Sequence, residues 1–294
     1  MKVDILFCTK NRVEYAEEAF RQLVRNTNWG MVNSLMIHFD GSSIGEFDPF
    51  KFRTTTYNEA GNTGIWPQSV RWTGVLRQNV NAIGSPVGVM DYYLKDTKDT
   101  GSPWFAKIDN DTIVPPGWLD ACVAIADWSS HELMKVTGNV DLIGIEARYC
   151  ENPPMQPVTS RPGPFTPYPV VKYRQTDHIG GIGLFRRAVF EKYPLALLTE
   201  QEKEWYRSRG QDPRYYGFTE WQWSHPDVRK VWIDPPLPVF LLDHLPMEPW
   251  MSLGKQYVLN GWQRATWGYY DPEKDRGLWE WWLRQQHPAS TDTV

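Results

Sequence analysis

The sequence predicts an α/β fold, a three-layer α/β/α sandwich with a mostly parallel central sheet. Three observations predict it. Short apolar runs of strand length alternate with helically periodic segments through the first half of the chain. Several of these runs stop abruptly at an acid or a polar turn, and the carboxyl edge of an open α/β sheet is where ligands bind. The 294 residues are 41% hydrophobic and 22% charged, an ordinary globular balance with material for one large α/β domain or two smaller ones.

Residues 3–8 read as the first strand, Thr9-Lys10-Asn11-Arg12 as a polar loop, and residues 13–24 as a helix whose stripe is Tyr15, Ala16, Ala19, Phe20 and Leu23. Strand, loop and helix make the first half of a βαβ unit. Residues 34–39 form the second strand, ending at Asp40-Gly41-Ser42-Ser43. Residues 54–58 read as a short third strand. After Asn62-Thr63-Gly64, residues 68–78, with Arg71 and Gly74, are expected to be helical, and residues 87–94 continue that pattern.

The most informative stretch is 104–118. An apolar run, Trp104 to Ile108, stops at Asp109 and Asp111 with Asn110 between them; Pro115, Pro116 and Gly117 close the loop, and 118–127 resumes with helical spacing. If the backbone stays extended there, the two acids point the same way. They can then grip one hard divalent cation, which can carry a diphosphate. The competing reading is a simple turn, since Asp and Asn both favour turns.

Residues 140–146 read as the next strand and the proline-rich 152–169 as a long loop. In residues 176–185, Gly180 and Gly181 stand beside an apolar strand, which suggests close approach of backbone to another strand or a ligand. Residues 195–209 read as a helix. Residues 215–221 read as a loop entering a helix, with Thr219 as its cap. A late strand at 230–234 precedes an apolar run that ends at Asp243-His244. Of 16 Trp, ten lie after residue 200, and the aromatic tail from 246 is expected to pack as a cap on the domain.

The totals exclude several classes. A net charge of -4 gives no general pull toward nucleic acid or anionic membrane. Cys8, Cys122 and Cys150 match no zinc or redox spacing and fit a reduced, cytoplasmic setting. Met1-Lys2 leads straight into a strand-like run without a signal peptide, and no apolar stretch approaches a membrane span, so no stable membrane insertion is expected.

Taken in order, five patches resemble a GT-A (Rossmann-like) glycosyltransferase of the family 2 type. They are the opening strand with Thr9-Lys10-Asn11-Arg12, the Asp40-Gly41-Ser42 turn, Asn62-Thr63-Gly64 with Arg71-Trp72-Thr73-Gly74, Asp109-Asn110-Asp111 with Pro116-Gly117-Trp118, and Gly180-Gly181-Ile182-Gly183. The resemblance spans about residues 3 to 244 and departs from the family at Trp72, which stands where Asn is usual. It implies a nucleotide-sugar-binding and catalytic domain over 1–245 and an extension over 246–294. It implies that Thr9, Asn11, Arg12, Asp40, Asn62, Gly64, Arg71, Asp109 and Asn110 bind a nucleotide-sugar, a UDP-sugar by the family's habit. It implies Mn²⁺ or Mg²⁺ at Asp109 and Asp111, completed by His244, with Gly180 and Gly181 on the acceptor side. The family's Glu-Asp pair reads Thr219-Glu220-Trp221 here, which makes Glu220 the candidate base, with Asp177 its rival.

The activity so implied is inverting sugar transfer to an acceptor hydroxyl. The acceptor is a saccharide or, for a phage-encoded enzyme working in its host's cytoplasm, a hydroxymethylated DNA base. Two alternatives stay open: an inactive glycan-binding protein on the same fold, and a nucleotidyltransferase. The loop at 9–12 lacks the glycines of the latter's phosphate loop.

Overall fold

The computed structural model describes residues 1–9, 13–39, 71–72, 86–130, 139–145, 157–159, 172–195, 198–210, 213, 217–234 and 239–241. Asn11, Arg12, Asp40, Asn62, Gly64, His244, the expected strand at 54–58 and the Trp-rich extension lie outside them.

The elements in chain order are β1 Val3–Thr9, α1 Val13–Asn26, β2 Val32–Phe39, β3 Arg71–Trp72, α2 Pro86–Asp96, β4 Trp104–Asp109, β5 Thr112–Ile113, α3 Trp118–Ser130, β6 Leu142–Gly144, β7 Pro157–Thr159, β8 Lys172–Thr176, β9 Gly183–Arg186, α4 Arg187–Lys192, α5 Glu200–Arg207, α6 Phe218–Ser224, β10 Lys230–Asp234 and β11 Phe240–Leu241. Nine strands form one sheet in the order β3-β2-β1-β4-β9-β6-β10-β8-β7; β11 and β5 pair separately. β8 and β9 run against the other seven strands of the large sheet, so it is mostly parallel.

Strand alternation builds the three layers. Ile5 and Phe7 of β1 pack with Ala16, Ala19, Phe20 and Leu23 of α1 and with Trp118, Leu119 and Cys122 of α3. Leu6 points the other way, to Val87, Met90 and Tyr93 of α2, Phe190 of α4, and Phe218 and Trp221 of α6. Phe7 and Phe20 meet edge to face at 5.2 Å. Each such buried ring contributes roughly 1.5–3 kcal/mol over its exposed state.

Glycines admit the reversed strand β9 between β4 and β6. A Cβ on Gly183 would collide with the Ile143 carbonyl, and one on Gly144 would lie 2.6 Å from the Trp232 ring. The close approach expected of the glycines near 180 is thus realised at Gly183, against a neighbouring strand.

The amino ends of the strands are tied by a buried polar cluster. Asp4 on β1 accepts from Asn33 Nδ2 at 2.9 Å, Ser34 Oγ at 2.6 Å, Tyr93 Oη at 2.9 Å and the Ser102 N–H at 2.6 Å. The Arg187 guanidinium stands 3.8 Å from the Asp4 carboxylate and donates to Ser102 O, Tyr93 Oη and Thr97 Oγ1. Gly101 leaves room for it, since a Cβ there would collide with the guanidinium.

Five local expectations are corrected. Arg71–Trp72, expected in a helix, is a strand paired in parallel with Ser34 and Leu35 of β2, because sheet pairing overrides a weak local periodicity. The proline-rich segment 152–169 contains β7, with Pro157 at its first position on the sheet edge, where a missing N–H costs least. The glycine stretch within 176–185, expected beside one apolar strand, lies between two: β8 ends at Thr176, whose hydroxyl accepts the His178 N–H at 3.3 Å, and β9 begins at Gly183. The helix expected over 195–209 is confined to α5, started by a Thr199–Glu202 capping box. Thr219 does not cap α6. Gly217 does, at φ 107°, a left-handed value that favours glycine, and Thr219 sits inside the first turn.

Asp4→Asn keeps the shape of the side chain but removes its charge and turns one acceptor into a donor facing donors. We expect a loss of about 3 kcal/mol in urea unfolding, the scale for breaking a buried charged network. A loss below about 0.5 kcal/mol, the size of an ordinary surface substitution, would contradict this role.

Candidate active site

The three central parallel strands finish level. Cys8 of β1 is in register with His38 of β2 on one side and with Asp109 of β4 on the other. Thr9, Phe39 and Asp109 therefore end together at the carboxyl edge, and Thr9 is buried there. Of the two conformations the sequence allowed, extended backbone through Asp111 or a turn, the structure has the turn: β4 stops at Asp109. Asn110 and Asp111 make the turn into β5. Asn26 Nδ2 donates to Val114 O at 2.8 Å, and Trp118 Nε1 to Thr27 Oγ1 at 3.1 Å, fastening the segment after the acids to α1.

A lysine is paired with the first of the two acids. Lys107 lies two residues before Asp109 on the same strand face, and its side chain is 1% exposed. Its Nζ is 2.6 Å from Asp109 Oδ1. Burial works against the ammonium, yet the Asp109 carboxylate, helped by Cys8 and Asp111, outweighs it and holds the lysine above its ordinary pKa. Asp109 and Asp111 thus stand around one fixed positive charge.

The donor set fits a divalent cation. Mn²⁺ and Mg²⁺ take hard oxygen ligands, and Mg²⁺ is often held by one or two protein carboxylates plus substrate phosphates. Lys107 engages one oxygen of Asp109, and an ionised carboxylate has further lone pairs on the other. Among the described residues no group of three or more His, Cys, Asp or Glu is arranged to hold a metal. The expected third ligand, His244, lies outside them. The side chain of Arg71 is likewise not described, although its backbone sits on β3 beside β2.

Gly181, expected on the acceptor side, comes next to Lys107. A Cβ on Gly181 would lie 3.7 Å from Lys107 Nζ, so the 180–181 loop runs beside the Lys107–Asp109 pair. Gln222, fully buried on α6, grips that loop by both backbone groups of Ile179. Its Oε1 accepts the Ile179 N–H and its Nε2 donates to the Ile179 carbonyl, both at 2.8 Å. α6 therefore carries Thr219 and Glu220 to the edge of the loop. Glu220 accepts from the Gly217 N–H at 2.5 Å and from the Tyr206 hydroxyl. Asp177 is exposed and precedes His178, whose Nε2 is 3.1 Å from Thr219 Oγ1. Burial lowers the His178 pKa below its ordinary value, against the opposing pull of Asp177 and Glu220.

Three residues that the structure places around the candidate site went unremarked in the sequence: Lys107, Gln222 and Tyr206. Lys107 carried a readable signal, a lone lysine inside an apolar strand two places before an acid. Gln222 carried none, because its partner is the backbone of a segment 43 residues away.

No protein-family model matches the sequence, and no curated protein sequence matches it. Among solved structures, the chain is similar to S. aureus TarS at 13% identity and a TM-score of 0.47, over all of this chain and 44% of that one. It is similar to S. aureus TarS 1–349 in complex with UDP-GlcNAc at 13% identity and a TM-score of 0.40, over 69% and 51%. It is similar to the galactosyltransferase LgtC, in complex with donor and acceptor sugar analogs, at 11% identity and a TM-score of 0.37, over 78% and 73%. The chain thus spans about half the length of the first two. Likenesses this distant decide nothing about this chain. The strand order, with the Asp109–Asp111 turn at its carboxyl edge, stands on its own. The fold, helices on both faces of a mostly parallel sheet, is the α/β/α class the sequence predicts.

His178 gives a pH prediction. Above about pH 6.5, the ordinary imidazole value, it is neutral in both folded and unfolded chains and adds no slope. Below that, the unfolded chain takes up a proton that the folded chain resists, so stability falls as pH falls. Wild type should lose stability between about pH 6.5 and 5 faster than His178→Gln in urea unfolding. Parallel pH curves would contradict the assignment.

Proposed function

We propose that the protein is a metal-dependent, inverting glycosyltransferase that moves a sugar from a nucleotide-sugar, a UDP-sugar first among them, to an acceptor hydroxyl. The observation that carries the reading is the juxtaposition at one sheet edge. Asp109 and Asp111 stand around buried Lys107, and the Gly180–Gly181 loop separates them from Glu220.

In this reading Asp109 and Asp111 hold Mn²⁺ or Mg²⁺, with His244 as a third ligand. When bound, the ion supplies positive charge to the departing diphosphate. Lys107 holds the Asp109 carboxylate in place at the end of β4. Thr9, Asn11, Arg12, Asp40, Asn62, Gly64, Arg71 and Asn110 form the nucleotide-sugar side. The Glu220 carboxylate takes the proton of the attacking hydroxyl, with the Tyr206 hydroxyl and the Gly217 N–H fixing its orientation. Asp177 is the alternative proton acceptor. One displacement with one base inverts the anomeric carbon, whereas the retaining hydrolase route needs a second carboxylate as nucleophile. Among the described residues no helix is long and apolar enough to cross a membrane.

A melting panel of UDP, GDP, dTDP, CDP and ADP, each with and without Mn²⁺, tests the donor half. Saturating UDP with Mn²⁺ should raise Tm by several degrees, about the shift expected at a hundredfold excess over Kd. The rise should disappear without the metal and in Asp111→Ala. A metal-independent shift that survives Asp111→Ala would leave a binding protein, and no shift with any nucleotide would overturn the donor assignment. Glu220→Gln should keep the UDP–Mn²⁺ shift and lower sugar transfer by about 10²–10⁴-fold. Transfer within threefold of wild type would move the base to Asp177.

A further inference from the structure

A charge in the interior of a strand needs a reason, and Lys107 sits inside β4 at 1% exposure. Its register partners are Leu6 on β1 and Gly183 on β9, neither of which carries a charge. A Cβ on Gly181 would lie 3.7 Å from its Nζ, so there too the neighbouring residue has no side chain. Among the described residues Asp109 is its one ion-pair partner, at 2.6 Å.

Stability does not supply the reason. Replacing a buried ion pair by apolar side chains of similar volume is often neutral or stabilising. A second buried lysine shows what a fastening role looks like. Lys230 on β10 donates to the carbonyls of His225 and Val228, both at 2.9 Å, and so ties down the chain after α6. Lys107 instead meets a carboxylate whose side chain is 29% exposed.

What Lys107 does change is the charge at the end of β4. Asp109, Cys8 and Asp111 all act on its ammonium. With Cys8 as a thiol, the ammonium cancels one of the two carboxylates and leaves a single negative charge. A divalent cation entering alone would leave an excess of positive charge at a partly enclosed site, where uncompensated charge is costly. A cation that enters with a diphosphate brings the missing negative charge with it. Without the ammonium, the two carboxylates would match a divalent cation unaided.

We propose that Lys107 is a resident counter-ion that makes cation entry at Asp109 and Asp111 conditional on a phosphate-bearing ligand. It acts through Asp109 and is a positioning residue. The inference rests on the cation site of the proposed function and is independent of sugar transfer.

Calorimetric titration of Mn²⁺ into the full chain tests it. The chain is titrated alone and with uridine, UMP, UDP or inorganic pyrophosphate, each corrected for Mn²⁺ bound by the ligand in buffer. In wild type, Mn²⁺ should bind weakly alone and with uridine, and at least about tenfold more tightly with UDP. In Lys107→Met and Lys107→Gln, Mn²⁺ alone should bind at least about tenfold more tightly than in wild type, a modest share of the force between a unit charge and a divalent ion at an effective dielectric of about 20. A merely structural lysine predicts no such gain. Adding Asp111→Asn to Lys107→Met should abolish it, and Lys107→Arg, which keeps the charge, should keep the wild-type pattern. Melting curves establish that each variant is folded. A folded Lys107→Met that binds Mn²⁺ no more tightly than wild type would overturn the inference. If both uncharged variants fail to fold, wild type decides: uptake that rises from uridine through UMP to UDP supports the counter-ion, and uptake indifferent to phosphate overturns it. If UDP and Mn²⁺ bind together but Lys107→Met shows no gain, the inference fails and the transferase reading stands. If Lys107→Met gains Mn²⁺ affinity while neither UDP nor pyrophosphate promotes uptake in wild type, the lysine's hold on the acids stands, and the phosphate condition fails together with the nucleotide-sugar reading.

Discussion

The buried carboxylate of Asp4 is the contact on which the arrangement of strands depends. It sits on the central strand β1, 1% exposed, and a lone ion there would be expensive. Its donors come from its neighbours: Asn33 and Ser34 at the start of β2, Tyr93 in the second half of α2, and Ser102 just before β4. Arg187 closes the group from the junction of β9 and α4. The same burial, reinforced by Asp4, pushes the Tyr93 hydroxyl far above its ordinary pKa, so it stays a donor at all physiological pH. One side chain therefore registers β1, β2, β4 and β9 at their common end. Because parallel strands advance by the same step, fixing that end also levels the other, where Thr9 and Asp109 stop together.

The molecule is polar in this sense. At one edge of the sheet the buried charges of Asp4 and Arg187 are consumed within the chain. At the opposite edge a carboxylate is partly exposed to solvent. Lys107 is the transition between the two. It is as buried as Asp4, but its partner Asp109 is 29% exposed and faces outward. The cost of keeping an ammonium in the interior is offset by two carboxylates set at the rim, and the lysine itself is too enclosed to touch a ligand. Across from it, Gln222 imitates a strand neighbour for Ile179, which lets a helix hold a glycine loop without adding side-chain bulk beside Lys107.

Much of this was legible in the residues. β1, β2 and β4 are continuous apolar runs buried on both faces, and α1 and α3 carry clear stripes, so their expected places agree with the structure to within a few residues. The Asp109–Asp111 pair was legible because an apolar strand ended on it. Its geometry was not, since extended and turned backbones place alternate residues differently and the sequence is compatible with both. β3 was misread because two residues carry no period of their own; their strand character comes from Ser34 and Leu35. Thr219 looked like a cap because the choice between it and Gly217 turns on a backbone angle.

The central claim is that the two acids after β4 hold one cation that carries the nucleotide's diphosphate. Electron paramagnetic resonance of free Mn²⁺ during titration with protein and UDP addresses it directly. The account predicts that protein and UDP together remove one equivalent of Mn²⁺ from the free signal. Either component alone should remove far less, and Asp109→Asn with Asp111→Asn should restore the signal. Uptake of Mn²⁺ that ignores UDP, or that persists in the doubly substituted chain, would contradict it.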